Sequence, residues 1–194
     1  MELILLRHGA APGNLLHQYL GRTDEPLAEE GIRQAKALTG LLPQPELLFV
    51  SPMKRCTMTA ALVWPGIEQQ IVPDLREADF GRFEGKTWEE LKTDRGYLAW
   101  IDGTADCPDG ETRTEVSVRI RRAGAKCFAQ ALSMHCRTAA ITAHGGTIME
   151  LLAQSFGGSL YDWQPPLCGG WCVAVLPDGS LSDPKRIGVQ GCGV

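Results

Sequence analysis

Apolar residues along this chain gather in short unbroken runs: Leu3-Ile4-Leu5-Leu6, Leu47-Leu48-Phe49-Val50 and Ala139-Ala140-Ile141 within 138–143. A strand with one wet face alternates apolar and polar residues, whereas a strand covered on both faces does not. The runs therefore predict a parallel sheet with helices on either side, and Gln70-Ile71-Val72 predicts a further strand in it. Between the runs the period lengthens. Ile32, Ala35 and Leu38 share one face of a predicted helix over 29–38, with acids at its front and Pro43 and Pro45 beyond it. Val116, Ile120, Ala123, Cys127, Ala131 and Met134 form the stripe of a long helix over 112–134, on which Arg119, Arg121 and Arg122 read as a solvated face. Another helix is expected over 148–156. Trp171–Leu176, a Pro177-Asp178-Gly179 turn and a strand over 187–190 read as an antiparallel hairpin at the sheet edge. Strands alternating with helices predict a three-layer α/β/α fold with a mostly parallel central sheet.

One stretch breaks this rhythm. Residues 78–111 are irregular, aromatic and rich in turn formers, with one short helix expected over 88–92. They read as an insertion that folds over the sheet edge as a lid, inside a single domain over 1–194. A chain of 194 residues is long enough to bury a sizeable core without a second domain.

Composition narrows the partners. Apolar residues make up 44% and charged residues 22%, with no long apolar span, and the start carries Glu2 in place of a basic leader, so a cytoplasmic protein without membrane attachment is expected. A net charge of −4 argues against nucleic acid as a partner, because that polyanion needs a basic stripe to displace its counterions. An anion site must then be a local gathering of arginines. The seven cysteines are odd in number and scattered, which favours free thiols. Cys168-Gly-Gly-Trp-Cys172 is the one close pair, but it lacks a second pair to complete a metal site.

Candidate chemistry sits where the strands end. The first run delivers Arg7-His8-Gly9, the second leads through Ser51-Pro52 to Lys54-Arg55, the third leads to Glu77, and the fourth ends in His144-Gly145-Gly146. In open α/β sheets the ligand crevice lies outside the carboxyl ends of the strands. Ser51 and Pro52 read as the N-cap and first residue of a helix, which puts Arg55 in a first turn whose N–H groups suit an anion. A lone histidine after a strand is more often structural, and Arg55 alone would read as a surface residue. Two guanidiniums and two imidazoles converging on one point would repel one another without an anion between them, and their planar donors suit a phosphoryl group.

These residues, taken with their neighbours, resemble the histidine phosphatase superfamily, also called phosphoglycerate-mutase-like. The matching segments are Leu5–Gly9 with Asn14, Asp24–Leu27 with Gly31 and Gln34-Ala35, Ser51–Arg55 with Thr59-Ala60, Leu75–Gly81 with Phe83-Glu84-Gly85, Pro108–Thr112, and Ala143–Gly146. They run in the family's order over most of the chain. The Phe-Gly-x-Phe-Glu-Gly wording is similar to the small phosphatase branch that includes α-ribazole-phosphate phosphatases. The resemblance implies a phosphomonoesterase acting on a small phosphorylated metabolite, without metal or cofactor, as a monomer or homodimer. His8 would be the nucleophile, its second ring nitrogen held by a backbone carbonyl such as that of Gly9. Arg7, Arg55 and His144 would bind the phosphoryl oxygens, with Asn14 and the Gly145 N–H as neutral donors. Glu77 would protonate the leaving oxygen and then activate water. Gly21 and Arg22 fall near the substrate by motif position, as do Glu84 and Trp88, although the latter two read more readily as holding the insertion in place.

Two other functions share the motifs. A phosphoglycerate mutase would return the phosphoryl group to substrate, but such enzymes usually carry a longer insertion and tail. A non-catalytic binding member would tend to lack the histidine, an arginine or the acid, all of which are present. Ala11 stands where the family commonly has Thr or Ser, so one hydroxyl is missing from the first turn.

Overall fold

The structure, a computed structural model, describes residues 1–187. A mixed sheet of six strands forms its centre, in the order β3-β2-β4-β1-β5-β6. β1 (Glu2–Arg7), β2 (Leu47–Val50), β3 (Gln69–Ile71) and β4 (Thr138–Ala143) are mutually parallel where they pair, and β5 (Gly170–Val175) and β6 (Leu181–Ile187) close one edge as an antiparallel hairpin. The unbroken apolar runs are the strands with both faces covered. Leu3 and Leu5 look to one side and Ile4 and Leu6 to the other, and all four are at most 1% exposed. Each such side chain contributes roughly 2 kcal/mol on burial.

On the Leu3 face lie α6 (Arg113–Ser133) and α7 (Gly145–Phe156), which pack Ile120, Cys127, Ile148 and Leu152 against Phe49 and Ile141. The Ile4 face is covered by α2 (Glu29–Ala37) and α3 (Lys54–Val63) through Ala35, Cys56, Ala60 and Val63. This is the expected three-layer α/β/α arrangement. The segment 78–111 has a small core of its own, built from Phe83, Leu91, Tyr97 and Cys107, with Tyr19, Phe80 and Trp100 packed against it. Its helices are α4 (Trp88–Leu91) and α5 (Arg95–Ile101); α1 (Pro12–Leu15) is a single turn after β1.

Three details differ from the sequence pattern. Ser51 does not cap α3; the N-cap is Met53, and the first helical N–H, that of Lys54, donates to Asp24 Oδ1 at 2.7 Å. A carboxylate from the chain itself thus occupies that helix start. Arg119 is not on a solvated face but is only 6% exposed, because it completes ion pairs and carbonyl contacts under the sheet's end. A described strand over Leu181–Ile187 pairs with β5, earlier in the chain than the expected one; the strand expected over 187–190 lies, apart from Ile187, outside the described residues. Asp183 at φ 53° and Pro184 look like breakers, but the pairing with β5 shifts register between Cys172 and Ala174, and an edge strand tolerates both.

β4 lies between β2 and β1, although it follows both in sequence. The chain therefore reverses its direction of travel across the sheet beside β1. At such a switch point the loops leaving neighbouring strands diverge and open a crevice. Arg7 is in register with Ala143, so His8 and His144 leave adjacent strand ends together.

Candidate active site

His8 follows β1 directly, and its backbone N–H donates to the Ala143 carbonyl at 3.1 Å, extending the β1–β4 pairing by one bond. Its ring is fixed by the loop that the sequence forces out of the strand. Nδ1 lies 2.7 Å from the Gly9 carbonyl, an acceptor only, so Nδ1 carries the proton and Nε2 carries the lone pair. Gly9 sits against Gly31 of α2, where a Cβ at position 9 would meet the Gly31 carbonyl at 2.7 Å. The Gly9 N–H donates to Thr59 Oγ1 and the Ala10 N–H to Gln34 Oε1. Helices α2 and α3 thereby clamp the turn that aims the imidazole.

His144 is the N-cap residue of α7 and is fully buried. The two rings meet edge to face with centroids 5.1 Å apart. Burial, followed by the Arg55 charge, lowers the pKa of each imidazole well below the ordinary histidine value. Neutral rings relieve the part of the expected repulsion that involves the imidazoles, whereas Arg55 still repels Arg7. Both His144 nitrogens have protein partners: Arg55 Nε donates to Nδ1 at 3.3 Å, so the proton sits on Nε2, which faces Ser51 Oγ at 2.7 Å. Ser51, expected as a helix cap, instead fixes this ring. Cys56 Sγ lies 3.5 Å from the same nitrogen, and burial pushes that thiol up to about 12.

The two arginines differ. Arg55 is fully buried and donates to the carbonyls of Leu20, Gly21 and Thr23 besides His144, so its charge is present while most of its donors are taken. Arg7 donates from Nη1 to the Pro165 carbonyl, and its buried Nε has no partner. A buried guanidinium N–H left unpaired by the protein is costly, so this one is available to an acceptor on a ligand. Burial, more than any other cause, lowers the Arg7 pKa. The guanidinium lies over Gly145, where a Cβ would stand 3.4 Å from it. As the first residue of α7, Gly145 has no acceptor for its own N–H within the helix.

Glu77 reaches the same point from beyond β3. Its Oε1 accepts from the Ala78 N–H and its Oε2 from the Gly146 N–H, both at 2.9 Å. A Cβ on residue 146 would come within 2.4 Å of Oε1, so a glycine is needed for this approach. Asn14 uses Oδ1 to accept from the Ala11 N–H at 3.0 Å, which leaves its NH₂ as a donor. Arg7, His8, Asn14, Glu77 and Gly145 share one wall of a cavity of about 370 Å³. Gly21 and Arg22 are not on that wall. The Gly21 N–H donates to Glu84, and Arg22, with a side chain 73% exposed, pairs with Asp79. Glu84 also accepts from the Thr23 N–H, which ties the 21–23 loop to the segment 78–111. Trp88 opens α4 and is 54% exposed.

A model of the histidine phosphatase superfamily (branch 1) matches residues 3–176. The chain belongs to this superfamily. Among curated relatives of this histidine phosphatase, the adenosylcobalamin/α-ribazole phosphatase of Salmonella typhimurium is 31% identical over 162 residues, covering 79% of each chain. The crystal structure of the α-ribazole phosphatase from Shigella flexneri matches with a TM-score of 0.82 at 26% identity, covering 100% of this chain and 99% of the other. That of a phosphoglycerate mutase from Thermus thermophilus matches with a TM-score of 0.72 at 32% identity, covering 95% and 98%. Phosphatases and mutases thus both stand among the superfamily's similar members.

Ser51, Thr59 and Gln34 stand in the matching segments, yet the sequence pattern assigns Thr59 and Gln34 no role and makes Ser51 a helix cap, because a hydroxyl or amide bonded to a distant turn leaves no periodic trace. Arg119 did leave one: it stands three residues after Val116 and four before Ala123, on the buried stripe itself.

Proposed function

We propose that the protein is a metal-independent phosphomonoesterase that works through a phosphohistidine on His8. The observation that carries the reading is the fixed imidazole: Nδ1–H is held on the Gly9 carbonyl, leaving the Nε2 lone pair unused in a ring that lines the same cavity as Arg7. Nε2 attacks phosphorus and the bond to the leaving oxygen breaks, with the proton for that oxygen coming from the Glu77 carboxyl. The resulting carboxylate takes a proton from water, the water oxygen attacks phosphorus, and the P–N bond breaks to return neutral His8 and orthophosphate. Arg7, Asn14 and the Gly145 N–H offset charge on the phosphoryl oxygens, while Arg55 acts through its charge and by aligning His144.

The leaving alcohol meets a different surface. Tyr19, Phe80, Trp100, Val116, Met149 and Tyr161 line the rest of the cavity, with the carboxylate of Glu150 among them and that of Glu111 already paired with Arg76 and Arg119. The cation on that side, Arg113, donates to the Trp100 carbonyl. Aromatic walls and the Glu150 carboxylate favour a bulky uncharged alcohol and disfavour the carboxylate of a phosphoglycerate. α-Ribazole 5′-phosphate, with a flat apolar base, fits this description, and so supports hydrolysis over a mutase reaction.

A screen of phosphorylated metabolites ranked by kcat/KM, with orthophosphate release measured separately from phosphoryl transfer, tests the reading. Esters of large aromatic alcohols should exceed phosphoglycerates by about 100-fold, the worth of about 3 kcal/mol of apolar contact. Equal or reversed ranking, or transfer to a second phosphoglycerate in place of release, would overturn it.

A further inference from the structure

Glu111 and Arg119 belong to none of the steps above, yet they form the most densely bonded ion pair among the described residues. Arg119 Nε donates to Glu111 Oε1 at 2.8 Å and Nη2 to Oε2 at 2.7 Å, a two-point geometry that fixes both side chains. Arg119 sits on the buried stripe of α6, and Glu111 lies just before Thr112, the N-cap of that helix. Thr112 and Glu115 close a reciprocal capping box, with the Glu115 N–H on Thr112 Oγ1 and the Thr112 N–H on Glu115 Oε2. The pair is thus mounted on a rigid element.

What it grips is the segment that carries Glu77. On one side, Arg119 Nη1 donates to the carbonyls of Asp74 and Arg76 at 2.8 and 2.9 Å, and Nη2 lies 3.4 Å from that of Glu77 itself. On the other side, Glu111 Oε2 accepts from the Asp79 N–H at 3.0 Å, and the Glu111 N–H donates to the Asp79 carbonyl at 3.1 Å. The Arg76 guanidinium completes the set on Glu111 Oε1 at 2.8 Å. The backbone is therefore held before and after residue 77, while the Glu77 side chain is left to the Ala78 and Gly146 N–H groups. A solvent-facing strap would need neither the burial nor these bonds to backbone and guanidinium.

We infer that Glu111 and Arg119 are positioning residues for the general acid: a buried brace that sets where the Glu77 carboxyl stands relative to the leaving oxygen. The inference rests on Glu77 being that acid. A displaced carboxyl costs most where the leaving oxygen needs its proton, and little where the alcohol leaves readily as an anion. Loosening the brace should therefore change the dependence of rate on leaving group, an effect that a general loss of stability does not produce.

The test compares R119K and E111Q with E77Q, using kcat/KM, which reports only the steps up to departure of the alcohol, for an alkyl phosphate and for p-nitrophenyl phosphate, with folding followed by circular dichroism and thermal melting. E77Q should lower kcat/KM about 100-fold for the alkyl ester and less than about 5-fold for the aryl ester. R119K and E111Q should show the same split at roughly 10-fold, and should add nothing to it in the E77Q background. If E77Q shows no split, Glu77 is not the acid and the proposed mechanism fails. If E77Q shows the split while both brace variants lose activity equally on the two esters, or keep it, or do not fold, the brace serves the fold alone and this inference is overturned.

Discussion

Replacing His8 with alanine should lower turnover of any phosphate ester by about 10⁴-fold or more, the range seen when an enzyme loses its nucleophile. No second nitrogen stands ready to take its place. His144 is the nearest imidazole, but its Nδ1 accepts from Arg55 and its Nε2 faces Ser51. The variant should fold, since the Gly9 turn keeps its bonds to Thr59 and Gln34 without the ring. Wild-type protein quenched during turnover should carry phosphate on nitrogen, stable to base and lost in acid, whereas H8A should carry none. Substantial turnover by a well-folded H8A protein would show that the attacking group lies elsewhere, and with it the role given to Nε2 would go.

Acid should weaken the fold before the carboxylates begin to titrate. Burial holds His8 and His144 neutral in the native protein, with Arg55 the next cause for both. Unfolding frees them to take up protons, so their contribution is fully present above the unfolded histidine value of about 6.5 and is lost as pH falls below it. Each ring adds a slope that approaches about 1.4 kcal/mol per pH unit below that value and levels off only once the native ring itself takes up a proton. Urea unfolding at pH 7.5, 6 and 5 reads this directly. H8A should show about half the loss. A stability that stays level across that window, or a loss that the substitution leaves unchanged, would mean that the rings are charged in the native state.

Much of the frame was legible because burial on both faces writes itself as an unbroken apolar run. β1, β2 and β4 were plain for that reason, as were α2 and α6 from their stripes. α5 was not, because its Leu98 and Ile101 face outward while Tyr97 and Trp100 pack on the aromatic cluster of the insertion, so its pattern is local and not set by the sheet. The same limit applies to chemistry. Motif order gave His8, Arg7, Glu77 and His144 their place at the strand ends, since strand termini follow from pattern. It did not give the bonds that saturate Arg55 or that turn His144 toward Ser51, because these depend on where loop carbonyls fall in space. Gly21 and Arg22 show the cost of reading position as contact: both stand near the site in sequence, and both are bonded to acids of the insertion.

The crossing of β4 between β1 and β2 has a consequence for how the molecule comes into being. β1 pairs with β4 and β5 alone, both of which belong to the last third of the chain. During synthesis β1 emerges before both of its partners and must wait, both edges open, until they have left the ribosome. Such a strand is a template for wrong pairing, and closing so long a loop is slow. The reacting histidine therefore becomes competent at the end of folding, and recovery of activity after denaturation should report on the docking of β4, lagging behind any signal from the β2–α3–β3 unit.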